Sequence, residues 1–227
     1  MVWLHNSRYA WERFRYLHLA YPSCVHLRAS DEPPWQASAA NRSVLISFGA
    51  SMNGSPSANK LRVKLREKCI SYGPSLCELV STHNMMGEAG VLDRAYSAKR
   101  RATFCLEPPG FGPERKSMAD ALTLGCIPVL FEPDEEPYLW PYQWNSSWKA
   151  KSRVLLDGEQ VLSGRVDVLQ ALRAIPNEQV ARMQAAIAAN VHAMHYGYDD
   201  IPGDAFDLAL RAIVQEVAWT SPTPGWW

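Results

Sequence analysis

Between Ser43 and Phe131, short apolar runs alternate with longer amphipathic stretches, and this alternation restricts the fold of the 227-residue chain more than any other feature. The run from Ser43 to Phe48 is β-branched and aromatic and ends at Gly49-Ala50-Ser51, so it reads as a buried strand leading into a loop. From Ala58 to Ile70, Leu61, Leu65 and Cys69 recur every four residues while Lys60, Arg62, Lys64, Arg66 and Lys68 fall largely elsewhere, which predicts an amphipathic helix with a basic face. Leu76 to Val80 then reads as a strand, Val91 to Lys99 as a helix and Thr103 to Leu106 as a strand. Arg115 to Leu124 reads as a helix ended by Gly125, and Cys126 to Phe131 as the next strand. Strands that alternate with crossover helices pair in parallel, so the expected fold class is α/β, a doubly wound Rossmann-like sheet.

Val154 to Leu156 offers one more strand, and helices are expected over Val161 to Ala174, Asn177 to His195 behind Pro176, and Asp204 to Trp219. This divides the chain into a segment 1–40, with little periodicity and a Pro33-Pro34 break, a domain over 41–219, and a tail over 220–227. The first segment reads as a linker or as the remnant of a larger neighbour.

Lys plus Arg and Asp plus Glu both number 23, so bulk charge argues against a nucleic-acid partner. The longest apolar stretch, Ala121 to Phe131, falls short of the roughly 18 residues that argue for a membrane span. The N-terminus is aromatic and basic and carries no secretory signal pattern. Against a cytosolic address stand three Asn-X-Ser acceptor triplets, at Asn41, Asn53 and Asn145. Cys69 and Cys77 flank the turn-forming Ser71-Tyr72-Gly73-Pro74, which suits either a disulfide or two core thiols. Cys24, Cys105 and Cys126 show no metal-ligand spacing, and no metal site is expected. His83, His192 and His195 read as surface residues, whereas Trp140, Trp144 and Trp148 suit core or lid packing better than stacking on a ligand.

The stretch from Thr103 to Val129 carries the chemistry. It is a strand, a Gly/Pro turn over Pro108-Pro109-Gly110, and a helix whose first turn holds Arg115, Lys116 and Ser117. Cations at a helix N-terminus oppose the macrodipole unless an anion sits there. Two readings follow: the cations and the first-turn N–H groups bind a nucleotide diphosphate, or they pair with Glu114 or Asp120 on a solvated face. Neither a G-x-x-x-x-G-K-[ST] nor a G-x-G-x-x-G pattern occurs, which argues against P-loop and common dinucleotide enzymes.

The run FCLEPPGFGPERKSMADALTLGCIPVLFEP resembles the exostosin-like glycosyltransferase family, in particular its plant xyloglucan galactosyltransferase branch, whose pattern is close to FCLxPPGDxxxRRSxxDxxxxGCIPVFFxP. Upstream, VLISFGA followed by Arg62 and Cys69 resembles that branch's FSFAGA, IRG and cysteine, and downstream IPNEQVARMQ and GDAFDLALRAI resemble its closing helices. The resemblance implies an inverting, metal-independent GT-B glycosyltransferase of the Golgi lumen, needing no cofactor beyond its UDP-sugar donor substrate. This chain would supply the C-terminal, donor-binding domain, with a glycan or polysaccharide as acceptor and a membrane anchor only outside this chain. By position, Arg115 and Lys116 match the pair that meets the diphosphate, Ser117 the following serine, and Arg62 the IRG arginine, whose other reading is a surface cation on a basic face. Asp120 matches the acidic helix position, for a ribose hydroxyl or a helix salt bridge, while Gly49 and Gly110 would let the backbone approach the ligand. The chain departs from the pattern at Lys116, at Phe111 in place of the acidic residue and at Glu132 in place of a histidine, which bears on the choice of sugar, galactose or a related one. Glu107, Glu132 and Asp134 are the nearest carboxylates and read equally as loop residues, so no catalytic base is assigned. A non-catalytic partner that keeps the fold, or an inactive fragment, is the alternative; loss of Arg115 or Arg62 would have favoured the partner, and both are present.

Overall fold

The computed structural model describes residues 17–36, 42–49, 51, 54–81 and 90–220. Five strands, β1 (Val44–Gly49), β2 (Cys77–Val80), β3 (Ala102–Leu106), β4 (Ile127–Leu130) and β5 (Val154–Leu155), form one all-parallel sheet in the order β2-β1-β3-β4-β5. In register, Ile46 lies beside Cys77 and Phe104, and Phe104 beside Ile127. Side chains alternate between the faces of a sheet, so this row and the next, Phe48, Leu106 and Val129, point one way. They meet Leu61, Leu65 and Cys69, the four-residue stripe of α1 (Pro56–Tyr72), in the main core.

The first two crossovers run in opposite directions from β1. α1 leads outward to β2, whereas α2 (Val91–Arg101) returns across β1 to β3, so right-handed connections set the two helices on opposite faces. α3 (Lys116–Thr123) then joins β3 to β4. Ser55 starts α1 by accepting the Ala58 N–H, 3.2 Å, with Pro56 in the first turn, and Gly73, at a positive φ of 79°, follows its end. At the sheet's amino edge, the Arg42 guanidinium donates to the carbonyls of Lys99, Arg100 and Ala102 at the end of α2 and to that of Leu124 after α3.

Two expected helices are subdivided. Val161 to Ala174 is broken into α4 (Gly158–Leu162) and α5 (Val168–Arg173), because Gly164 takes a left-handed φ of 77° and Asp157 and Asp167 each cap a new start. Asn177 to His195 holds α6 (Asn177–Asn190) and then a 3-10 turn over Val191–Met194; α7 (Ala205–Thr220) follows. The Pro- and Trp-rich stretch packs Trp140, Trp144 and Trp148 into the core in tilted ring contacts of 6.2 and 6.1 Å. Packing is thus the role of these rings.

Cys69 and Cys77 form a disulfide, Cα–Cα 5.3 Å, between α1 and β2. A second disulfide, which the spacing of the other cysteines does not suggest, joins Cys105 in β3 to Cys126 just before β4, Cα–Cα 5.9 Å. His192 is exposed as expected, but His195 is not a surface residue: it is 4% exposed, and its Nε2 accepts the Leu27 N–H at 2.9 Å. His83 lies outside the described residues. Ala20, Val25 and Trp35 of the N-terminal segment are buried, and among the described residues no helix is long and apolar enough to cross a membrane.

Candidate functional site

In a doubly wound sheet the binding crevice forms beyond the carboxyl ends of the strands where successive crossovers diverge. Here β1 and β3 are neighbours, and the chain leaves β1 toward β2 and β3 toward β4, which sets that point between them. A cavity of about 410 Å³ lies there. Ser47 and Gly49 of β1 and Val80 of β2 line it together with Leu92, Ala95, Tyr96 and Lys99 of α2; Glu114 to Ser117 and Asp120 contribute from around the start of α3, and Tyr21 and Ser51 complete it. The volume falls within the range usual for small-molecule sites. Arg115 and Lys116 therefore sit at the carboxyl edge of the sheet, where they line the cavity.

Arg115 is the N-cap of α3 and makes no capping bond with its side chain. Its Nη1 donates to the Pro108 carbonyl at 2.8 Å and lies 3.9 Å from Oε2 of Glu107. Glu107 follows directly on β3 and is 1% exposed. Its Oε1 accepts from Nζ of Lys99 and, at 3.0 Å, from Oγ of Ser117, whereas Oε2 has no hydrogen-bond partner among the described residues. A buried carboxylate thus gathers Lys99, Ser117 and Arg115 against the crevice.

The arrangement around Lys116 is different. Its Nζ donates to both oxygens of Asp120, at 2.9 and 2.8 Å, and to the Tyr96 hydroxyl at 2.9 Å. Asp120 also accepts from Ser23 Oγ at 2.8 Å and from Tyr96 at 3.1 Å. Burial, then the Cys24 thiol and the Asp120 carboxylate, raise the Tyr96 phenol well above its ordinary range, so it remains a donor. The salt-bridge reading of Lys116 and Asp120 is therefore realised in the structure. Lys116 is still 39% exposed at its side chain and faces the cavity.

Arg62 is not the surface cation that the basic face of α1 suggested; it is 2% exposed. Its Nη1 donates to the Ser51 carbonyl at 2.8 Å. A Cβ at Gly54 or at Gly110 would each come within 3.1 Å of its guanidinium, so both glycines give it room. Burial first, then the nearby Arg115, lowers its pKa to about 10, with Glu107 acting in the opposite sense. It supports the loop from beneath, and the Ser55 N–H adds a bond to the Gly110 carbonyl at 3.1 Å. Of the candidate residues, Gly49, Arg115, Lys116, Ser117 and Asp120 line the cavity, while Arg62 and Gly110 brace its rim.

Sequence reasoning passed over α2 as a wall of the site. Leu92, Ala95, Tyr96 and Lys99 stand at i, i+3, i+4 and i+7, one helical face, and that periodicity was open to inspection. Tyr21 carried no such signal, because it reaches the cavity from a distant segment.

Comparison with known proteins gives a consistent neighbourhood. The profile of the Exostosin GT47 domain matches residues 4–171. The probable xyloglucan galactosyltransferase GT15 of Arabidopsis thaliana is 28% identical over 216 residues, 88% of this chain and 44% of that protein. The xyloglucan-specific galacturonosyltransferase 1 of the same plant is 31% identical over 188 residues, 79% of this chain and 27% of that protein. The probable xyloglucan galactosyltransferase GT19 is 28% identical over 189 residues, 78% and 42% of the two chains. The chain thus spans less than half the length of these relatives.

Proposed function

The chain belongs to the exostosin GT47 family, and from that membership we propose that it is the donor-binding half of a GT-B glycosyltransferase that moves a sugar from a UDP-sugar to a polysaccharide. The observation that carries this reading is the convergence of Lys99, Arg115, Lys116 and Ser117 on a cavity at the carboxyl edge of the sheet. In an inverting transfer the acceptor hydroxyl attacks the anomeric carbon while UDP departs, and the enzyme gains rate by stabilising charge on the leaving diphosphate. Arg115 and Lys116 supply that charge here, and Lys99 and Ser117, held by Glu107, line the same cavity. Neither a metal ion nor a cofactor takes part in this reading, and the base that deprotonates the acceptor belongs to the acceptor-binding half. The relatives' names include both a galactosyl- and a galacturonosyltransferase, so the transferred sugar is galactose or a close relative of it.

We place the protein in the Golgi lumen, membrane-anchored in its full-length form. Two disulfides support an oxidising compartment.

Calorimetric titration with UDP tests the donor site. Saturable binding is expected, selective for UDP over other nucleoside diphosphates. A charge-assisted hydrogen bond contributes about 1.5–3 kcal/mol, so Arg115→Ala should weaken binding by roughly 10- to 100-fold. A folded chain that does not bind UDP would support the non-catalytic alternative, and equal affinity in the Arg115 variant would remove the proposed phosphate contact.

A further inference from the structure

One surface turn, outside the donor cavity, carries a chemical signal that the transfer reaction does not use. Asn145, Ser146 and Ser147 are all exposed, and none of them lines the cavity. The turn is nevertheless firmly held. The Asn145 carbonyl accepts the N–H groups of Trp148 and Lys149, at 3.3 and 2.9 Å, and the triplet is flanked by the buried rings of Trp144 and Trp148. The Trp144 indole N–H donates to Ser152 Oγ at 2.9 Å and that of Trp148 to the Gln143 carbonyl at 3.2 Å, which fixes both anchors.

The side chain of Asn145 folds over its own turn. Its Oδ1 accepts the Ser147 N–H at 3.0 Å and also the Ser147 hydroxyl, an Asx-turn geometry. Both of these bonds fall on the oxygen, and the residue as a whole is exposed. Asn-X-Ser is the acceptor pattern for N-linked glycans, and a bulky polar adduct is tolerated only at a position such as this.

We propose that Asn145 is an N-glycan acceptor, modified from a polyprenyl-diphosphate-linked oligosaccharide. Nδ2 attacks the anomeric carbon of the first sugar. The new C–N bond forms as the C–O bond to the diphosphate breaks, one Nδ2 proton passes to a base of the transferring enzyme, and polyprenyl diphosphate leaves. The proposal rests on the lumenal address given above. Of the other two acceptor triplets, Asn41 and Asn53 lie outside the described residues, so the test reads Asn145 by its own peptide.

The full chain is secreted from eukaryotic cells behind a cleavable leader, its glycans are released enzymatically in heavy-oxygen water, and the peptide containing Asn145 is read by mass spectrometry. Recovery of residue 145 mainly as labelled aspartate is expected. Ser147→Ala should abolish the label and Ser147→Thr, which keeps the hydroxyl, should retain it. Unlabelled Asn145 in a secreted chain with both disulfides formed overturns the acceptor and leaves the address standing, as does a label that persists in Ser147→Ala. The address is tested separately, in the natural full-length protein: cytosolic retention with reduced cysteines would remove it. If the alanine variant does not fold, the parent and the threonine variant still decide the question.

Discussion

Glu107 shows how much one carboxylate can organise. It is buried at the end of β3 with Lys99 as its charge partner, and the Lys99 side chain is itself 9% exposed. Removing one member of a buried pair leaves the other charge uncompensated, at a cost of about 3–5 kcal/mol, whereas replacing both by apolar groups is often close to neutral. Glu107→Leu should therefore lower the unfolding free energy by about that amount in urea denaturation, and Glu107→Leu combined with Lys99→Met should recover most of it. A neutral single variant would mean that Lys99 finds water or another acceptor. This residue was only half legible beforehand. Arg115, Lys116 and Ser117 drew attention because cations at a helix start oppose the dipole, but a glutamate ahead of two prolines reads as an ordinary loop residue until the depth of β3 is known.

At the level of elements, the Cys105–Cys126 disulfide encloses the whole Pro108-Pro109-Gly110 loop and all of α3, and with them Arg115 and Lys116. Its partners are 21 residues apart, against 8 for Cys69–Cys77. If a cross-link acts by restricting the unfolded chain, the longer loop gives the larger stabilisation, within about 2–5 kcal/mol for loss of a native bond. Cys105→Ser with Cys126→Ser should thus lower Tm more than Cys69→Ser with Cys77→Ser and weaken UDP binding, while the second pair leaves that affinity unchanged. The reverse ranking would show that native-state packing, not loop closure, sets the effect. The strands and helices from Val44 to Leu130 were legible because periods of 2 and 3.6 differ sharply. The break at Gly164 was not, since its left-handed backbone leaves no mark on the apolar spacing, and the second disulfide was not, since only parallel pairing of β3 with β4 brings its cysteines together.

Across the whole molecule, residues 18–29 link the site to the segment around His195 and Tyr196. His18 pairs with Glu114 at 2.9 Å, Ser23 bonds to Asp120, the Tyr196 hydroxyl donates to the Ala20 carbonyl, and Leu27 binds His195. The last contact requires an unprotonated Nε2. Burial lowers the His195 pKa below its ordinary value of 6.5, with Asp204 opposing and His26 adding to the effect. The unfolded chain therefore binds the proton first as pH falls, so this contribution to stability is complete above pH 6.5 and is lost as pH drops through the folded value. Tm should fall more steeply between about pH 7 and about pH 5 in the parent than in His195→Gln, whose amide oxygen accepts the same N–H without titrating. Parallel slopes would place the acid sensitivity elsewhere. No local pattern foretells such a residue, because its partner stands 168 positions away.

Arg42 grips α2 and α3 at their trailing ends, and the cavity wall runs along α2 from Leu92 as far as Lys99, whose carbonyl Arg42 holds. The same clasp that closes the sheet's amino edge thus reaches the cavity through Lys99.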